Sequence, residues 1–112
     1  MTTVFNQIIS EATTDIKPAV EKYLDKIRAA TDKEWQRNEY TFPQPIFTAS
    51  FGPSWIRIES VTYGGKGQRS VHCFVNGAGD IFKAAGWKAP AKGKRGSIHD
   101  ANPPVLGQDF YR

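Results

Sequence analysis

At Tyr40 the spacing of apolar residues changes from three and four to two, and few globular folds accommodate that switch in 112 residues. Before it, Val4, Ile8, Ala12, Ile16, Val20, Leu24 and Ile27 recur at helical spacing, and Ile9, Tyr23 and Ala30 widen the stripe. Such a stripe covers one side of a helix and has to be buried against something. The opposite side carries Glu11, Asp15, Lys17, Glu21, Lys22, Asp25, Lys26 and Arg28, a solvated face of mixed sign. Thr13-Thr14-Asp15 before Pro18 reads either as the cap of a second helix or as a kink in one long helix, because proline is tolerated in a first turn whose amides have no helical partner. Residues 1–36 are therefore expected to be helical, as two helices or as one with a break near residue 14.

Beyond Tyr40, β-branched and aromatic residues alternate with polar ones. Ile46–Phe51 reads as a strand closed by Gly52-Pro53, and Trp55 to Tyr63 as a second strand, with Ile56 and Ile58 on one face and Arg57 and Glu59 on the other. Gly64-Gly65-Lys66-Gly67 lacks the glycine, lysine and hydroxyl spacing of a phosphate loop and is expected to be a hairpin tip. Arg69 to Val75 is a third strand, in which Val71, Cys73 and Val75 alternate with Ser70, His72 and Phe74. Asn76-Gly77-Ala78-Gly79 turns the chain into a short strand from Asp80 to Lys83. After Trp87 regular periodicity stops, and Pro90, Gly93, Gly96, Pro103 and Pro104 argue for loop and tail, with room for a short edge strand. The expected fold is a single α+β domain over residues 1–112. A helix or two helices pack on a four- to five-stranded antiparallel meander (residues 40–84), followed by an irregular basic loop and tail (residues 85–112).

Charge is distributed unevenly. Residues 1–40 hold six Lys/Arg against seven Asp/Glu, whereas residues 41–112 hold nine against four, and Lys83, Lys88, Lys92, Lys94 and Arg95 lie within thirteen residues. The net charge of +4 is thus a local patch and not a basic protein. With Trp87 among those cations and Gly86, Gly93 and Gly96 beside them, the run has what sequence-tolerant binding of single-stranded nucleic acid or a nucleotide uses: cations for phosphates, glycines for close approach and an indole for stacking. Trp55, Arg57 and Arg69 are a supporting set on the sheet. Whether Trp55, Phe74 and His72 form an open platform or a core depends on strand register, which the sequence leaves open. Trp87 has the same two readings, a base-stacking side chain or a core anchor for a soluble loop.

Catalysis finds little support. His72 and Cys73 are neighbours on a strand and are expected to face opposite ways. His99-Asp100 sit in the tail, so neither set closes a metal site, and no cofactor is expected. Cys73 is the single cysteine and reads as core filler. No apolar run reaches the length of a membrane span and the first residues lack the pattern of a signal peptide, so the sequence reads as soluble and intracellular, with no membrane partner.

The run Gly79-Asp80-Ile81-Phe82-Lys83-Ala84-Ala85-Gly86-Trp87-Lys88-Ala89-Pro90-Ala91-Lys92, followed by Arg95-Gly96-Ser97-Ile98, resembles a signature of small bacteriophage-encoded proteins of unassigned function. That resemblance implies a viral origin and a site of action in the host cytoplasm, and it assigns no activity. Three functions are therefore in view. The first is non-enzymatic binding of single-stranded nucleic acid through Lys83, Trp87, Lys88, Lys92, Lys94 and Arg95. The second is an oligomeric sponge for a nucleotide or cyclic-nucleotide defence signal, which would act as an anti-defence protein. The third is a virion or scaffold component whose basic loop docks on a partner.

Overall fold

The computed structural model describes residues 16–106 and Asp109. The first part of the apolar stripe, from Val4 to Ala12, and the expected break near residue 14 lie outside those residues. The long helix, α1, spans Lys17–Asn38 with Pro18 in its first turn. Its buried residues are Val20, Tyr23, Leu24, Ile27 and Thr31, the continuation of the stripe. The Thr31 hydroxyl donates back to the Ile27 carbonyl at 2.8 Å, which lets a polar side chain sit in that stripe.

The helix stops by a defined device. Glu39 takes the left-handed conformation (φ 53°), its amide donates to the Gln36 carbonyl and the Tyr40 amide to the Trp35 carbonyl. This is the paired bonding of a Schellman motif, and the apolar contact that accompanies such caps is present as well, with the Trp35 and Tyr40 rings 4.9 Å apart. The expected end near residue 36 is met within two residues.

Five strands follow, β1 (Ile46–Phe51), β2 (Trp55–Val61), β3 (Arg69–Asn76), β4 (Asp80–Ala84) and β5 (Pro90–Ser97). Each pairs antiparallel with the next in the order β1-β2-β3-β4-β5. The fold is the expected α+β meander under a helix. The basic run is more regular than its composition suggests, since residues 90–97 form a whole edge strand. Its two register irregularities against β4 and the positive φ of Gly93 (98°) are how a strand containing Pro90 and two glycines is accommodated, and they occur at a sheet edge where such features belong.

One face of the sheet meets α1. Ile56, Ile58, Cys73, Val75 and Ile81 pack there with Val20, Tyr23, Leu24 and Ile27, and Phe47 and Ile98 close the cluster. A bulge in β3 corrects the simple alternation. Ile58 pairs with Cys73 and Glu59 with Val71, so His72 is the extra residue. Val71 therefore lies on the face of Glu59 and not with Cys73. The His72 ring instead packs 5.1 Å from Phe47 on the helix side, so His72 and Cys73 do not point to opposite faces as alternation requires.

The chain after β5 returns along the helix side. Tyr23 Oη donates to the Pro104 carbonyl at 2.6 Å, and His72 Nε2 lies 2.6 Å from the Val105 carbonyl oxygen. Asp109 accepts from the amides of Val105 and Leu106. Residues 103–106 are thus a strap pinned to the core by buried groups. The thiol of Cys73 is fully buried beneath it, and burial pushes its pKa up to about 12, which makes it an apolar filler and a poor nucleophile.

Candidate functional site

The face of the sheet turned away from α1 carries the candidate site. Cross-strand register places Ser50, Arg57, Phe74, Phe82 and Lys94 in one row across all five strands, because directly paired residues share a face. A second row holds Thr48, Glu59 and Val71, and a third Ile46, Val61 and Arg69. Trp55 packs edge-on against Phe82 at 5.2 Å and Phe74 at 6.2 Å. Phe74 is thereby 2% exposed, so the sheet aromatics split: Phe74 is a small core of its own under Trp55 and Phe82, and His72 is on the other side. Trp55 is half-buried and forms one wall of a hollow of about 230 Å³ that also takes in Ser50, Ser54, Arg57 and Lys88.

Trp87 settles on this outer face. It belongs to the short connection between β4 and β5, closed by the Ala85 and Gly86 amides donating to the Ala89 carbonyl at 3.0 and 3.2 Å. The indole is 39% exposed and the Arg57 guanidinium carbon lies 4.3 Å from the ring centroid, a cation–π contact. Arg57 Nη1 also donates to the Trp87 carbonyl at 3.4 Å. The indole is not a core anchor. On its other side is a second hollow of about 300 Å³, lined by Ser70, Val71, Ala84, Ala85, Gly86 and Trp87.

The structure divides the remaining cations. Lys88 joins Trp55 and Arg57 at the first hollow, and Lys92 is exposed on β5. Lys94 reaches Asp80 at 2.9 Å, and this lysine, together with the Asn76 amide, holds the Asp80 carboxyl below its ordinary range. Arg95 lines a cavity of about 360 Å³ beside the strap together with Lys94, Asn102, Pro103, Pro104 and Asp109. Lys83 alternates with Phe82 and falls on the face of Ile81, away from Trp87. Five cations adjacent in sequence therefore do not form one patch. The face that carries Trp87 draws its charge from Arg57, Arg69 and Lys88.

Two features of the surface have no counterpart among the sequence expectations. Glu59, read there as an outward polar residue, has a side chain only 7% exposed, and it ion-pairs with Arg57 at 3.1 Å and Arg69 at 3.4 Å. At the other end of the sheet, Trp35, Tyr40, Phe42 and Tyr63 form a chain of ring contacts between 4.9 and 5.9 Å, with Tyr40, Phe42 and Tyr63 exposed. Trp35 Nε1 donates to the Phe42 carbonyl at 2.9 Å, and Tyr63 is held out by a left-handed backbone (φ 52°) in the turn joining β2 to β3. The signal for that cluster was present in the alternation Tyr40-x-Phe42 directly after the helix stop. From the sequence Tyr63 reads as the end of the second strand, whereas β2 stops at Val61 and Tyr63 falls in the turn.

Among the described residues no three His, Cys, Asp or Glu side chains gather as metal ligands, and no helix is long and apolar enough to cross a membrane. No curated protein matches the chain, and no solved structure does. One family matches residues 4–105, nearly the whole sequence, and on that extent the chain belongs to DUF7717, a family of unknown function.

Proposed function

We propose that this protein binds phosphate-bearing ligands without acting on them, and that single-stranded nucleic acid is the class its outer face suits best. The observation that carries the reading is the Arg57–Trp87 pair. An exposed indole is held in place by a guanidinium stacked 4.3 Å away, between two shallow hollows on one sheet face. Bases have π-faces that an indole stacks on whatever their identity, and the phosphates between them meet Arg57, Lys88 and Arg69. An open face with hollows of this kind suits a strand that passes across it better than a ligand that must be enclosed. The viral origin implied by the Gly79–Lys92 run belongs to the same proposal, with the host cytoplasm as the place of action.

The test is salt. With about three phosphates neutralised, the logarithmic slope for a single strand is roughly −2, so raising salt from about 50 to about 200 mM should weaken binding of a fluorescent hexathymidylate roughly 16-fold. A flat salt dependence refutes the reading. The hollow formed by Trp55, Arg57 and Lys88 favours a second one, a free nucleotide or cyclic nucleotide held as a sequestered signal. It requires saturable mononucleotide binding and a melting temperature that rises with that ligand. A stable assembly indifferent to both ligands would point to a scaffold role instead.

A further inference from the structure

We infer that Arg57 and Arg69, docked on the Glu59 carboxylate, form a two-arginine clamp for a phosphate group, with Glu59 as its positioning residue. This rests on the phosphate-binding reading above and deepens it by naming the residues that grip the anion. Three facts support it. Arg57 and Glu59 are two apart on β2 and so share the outer face, while Arg69, paired with Val61, stands diagonally across from Glu59 on β3. The bulge at His72 makes that diagonal, since it shifts the β2–β3 register between Ile58 and Glu59.

Next, both arginines reach the carboxylate through Nε, Arg57 to Oε2 at 3.1 Å and Arg69 to Oε1 at 3.4 Å. An arginine engaged at Nε keeps Nη hydrogens to offer to phosphate oxygens, and in Arg57 these are Nη2 and the second hydrogen of Nη1, whose first meets the Trp87 carbonyl. The Arg69 side chain stays 64% exposed although its Nε is engaged, so an anion can reach it from solvent. Arg57 is steadied further by the Trp87 ring and carbonyl.

Finally, the charges do not cancel. Two guanidiniums share one carboxylate, and the other acid of this face, Asp80, is taken by Lys94. Keeping a carboxylate 7% exposed on the solvent side of a sheet is costly, and a structural ion pair would need only one arginine. What the second arginine adds is a net positive pair whose long side chains are already ordered, so less rotamer freedom is lost when an anion arrives.

The test uses the intact protein and two probes, inorganic pyrophosphate and hexathymidylate, followed through the arginine Nε–Hε signals in 15N-resolved NMR. Pyrophosphate should move the signals of Arg57 and Arg69 together and leave Arg28, paired with Asp25 on α1, in place. Glu59→Gln raises the net charge by one, so simple electrostatics predicts tighter anion binding, whereas the clamp predicts pyrophosphate binding at least five-fold weaker. Arg69→Lys, at an exposed position, keeps the charge and loses the fork, and should weaken binding to a similar degree; it decides the matter should Glu59→Gln fail to fold. Unchanged or tighter binding in a folded Glu59→Gln, or equal shifts at all three arginines, overturns the clamp. Pyrophosphate shifts without hexathymidylate binding would keep the clamp and sink the nucleic-acid reading. Hexathymidylate binding that leaves Arg69 unmoved would do the reverse.

Discussion

Replacing Trp87 by alanine separates a ligand-stacking indole from a structural one, because the two roles predict opposite divisions between stability and affinity. The ring is 39% exposed and its ordered partner is Arg57, so what folding gains from it is limited. A partly exposed cation–π contact contributes about 0.5–1 kcal/mol. The covered part of the indole, on the order of 130 Å², adds at most about 3 kcal/mol at ~25 cal/mol per Å² before compactness of the unfolded chain reduces it. A net destabilisation of about 2 kcal/mol is expected, below the ~3–5 kcal/mol typical of a fully buried tryptophan. For a chain of this size that lowers the melting temperature by roughly 8 °C. The loss in binding should be of similar size, about 1–3 kcal/mol for one stacked base, or roughly 5- to 150-fold in Kd. The assay pairs calorimetric melting with fluorescence anisotropy of labelled hexathymidylate, and Trp55→Ala serves as the comparison. Trp55 has edge-on contacts with both Phe74 and Phe82, so its loss should cost more stability than that of Trp87. If Trp87→Ala melts much lower than Trp55→Ala and binds the oligonucleotide unchanged, the indole is an anchor and the reasoning fails.

Glu39→Gly should stabilise the protein by about 1 kcal/mol in urea unfolding, since glycine removes the side-chain strain of the left-handed cap while both cap bonds are made by backbone; a loss of stability would show that the Glu39 side chain matters. Tyr23→Phe leaves the Pro104 carbonyl without its 2.6 Å donor and should cost about 1–3 kcal/mol, with faster proteolysis after residue 100 as the local sign that the strap has been released. His72 gives a pH dependence whose sign follows from its surroundings. Burial lowers its folded pKa, with the Val105 carbonyl and Asp109 opposing, so the unfolded chain takes up the proton first. Stability should be fully present above the ordinary histidine pKa of about 6.5 and fall as pH drops from there towards the folded value. His72→Asn should flatten that slope below about pH 6.5, and an unaltered slope would assign it to other groups.

Much of this fold is written in residues close together in sequence. The stripe of α1 is read from spacings of three and four. The turn before β4 is local as well, because Asn76 Oδ1 accepts from the amides of Ala78 and Asp80 and Gly79 supplies the positive φ of 91°. The local cationic excess after Lys83 is equally plain. Contacts between distant residues are not, and they governed the site. The bulge at His72 reverses the faces expected of Val71 and His72, and nothing in Arg69–Asn76 alone announces it.

The sequence by itself therefore determined α1, the first four strands, their order and the presence of a basic segment, since periodicity and turn chemistry act over a few residues; β5, with its proline and glycines, became a strand only by pairing with β4. Only the tertiary structure decided which cations stand together. Strand pairing sends Lys94 to Asp80, Arg95 to the strap and Lys83 to the helix side, and it brings Arg57, thirty residues away in sequence, onto Trp87. The physical reason is that a side chain's face on a sheet depends on register, and register is chosen by the burial of Ile56, Ile58, Cys73, Val75 and Ile81 against α1. Hydrophobic burial on one face thus arranges the charges on the other. Glu59 between two arginines and the indole beneath a guanidinium follow from that choice.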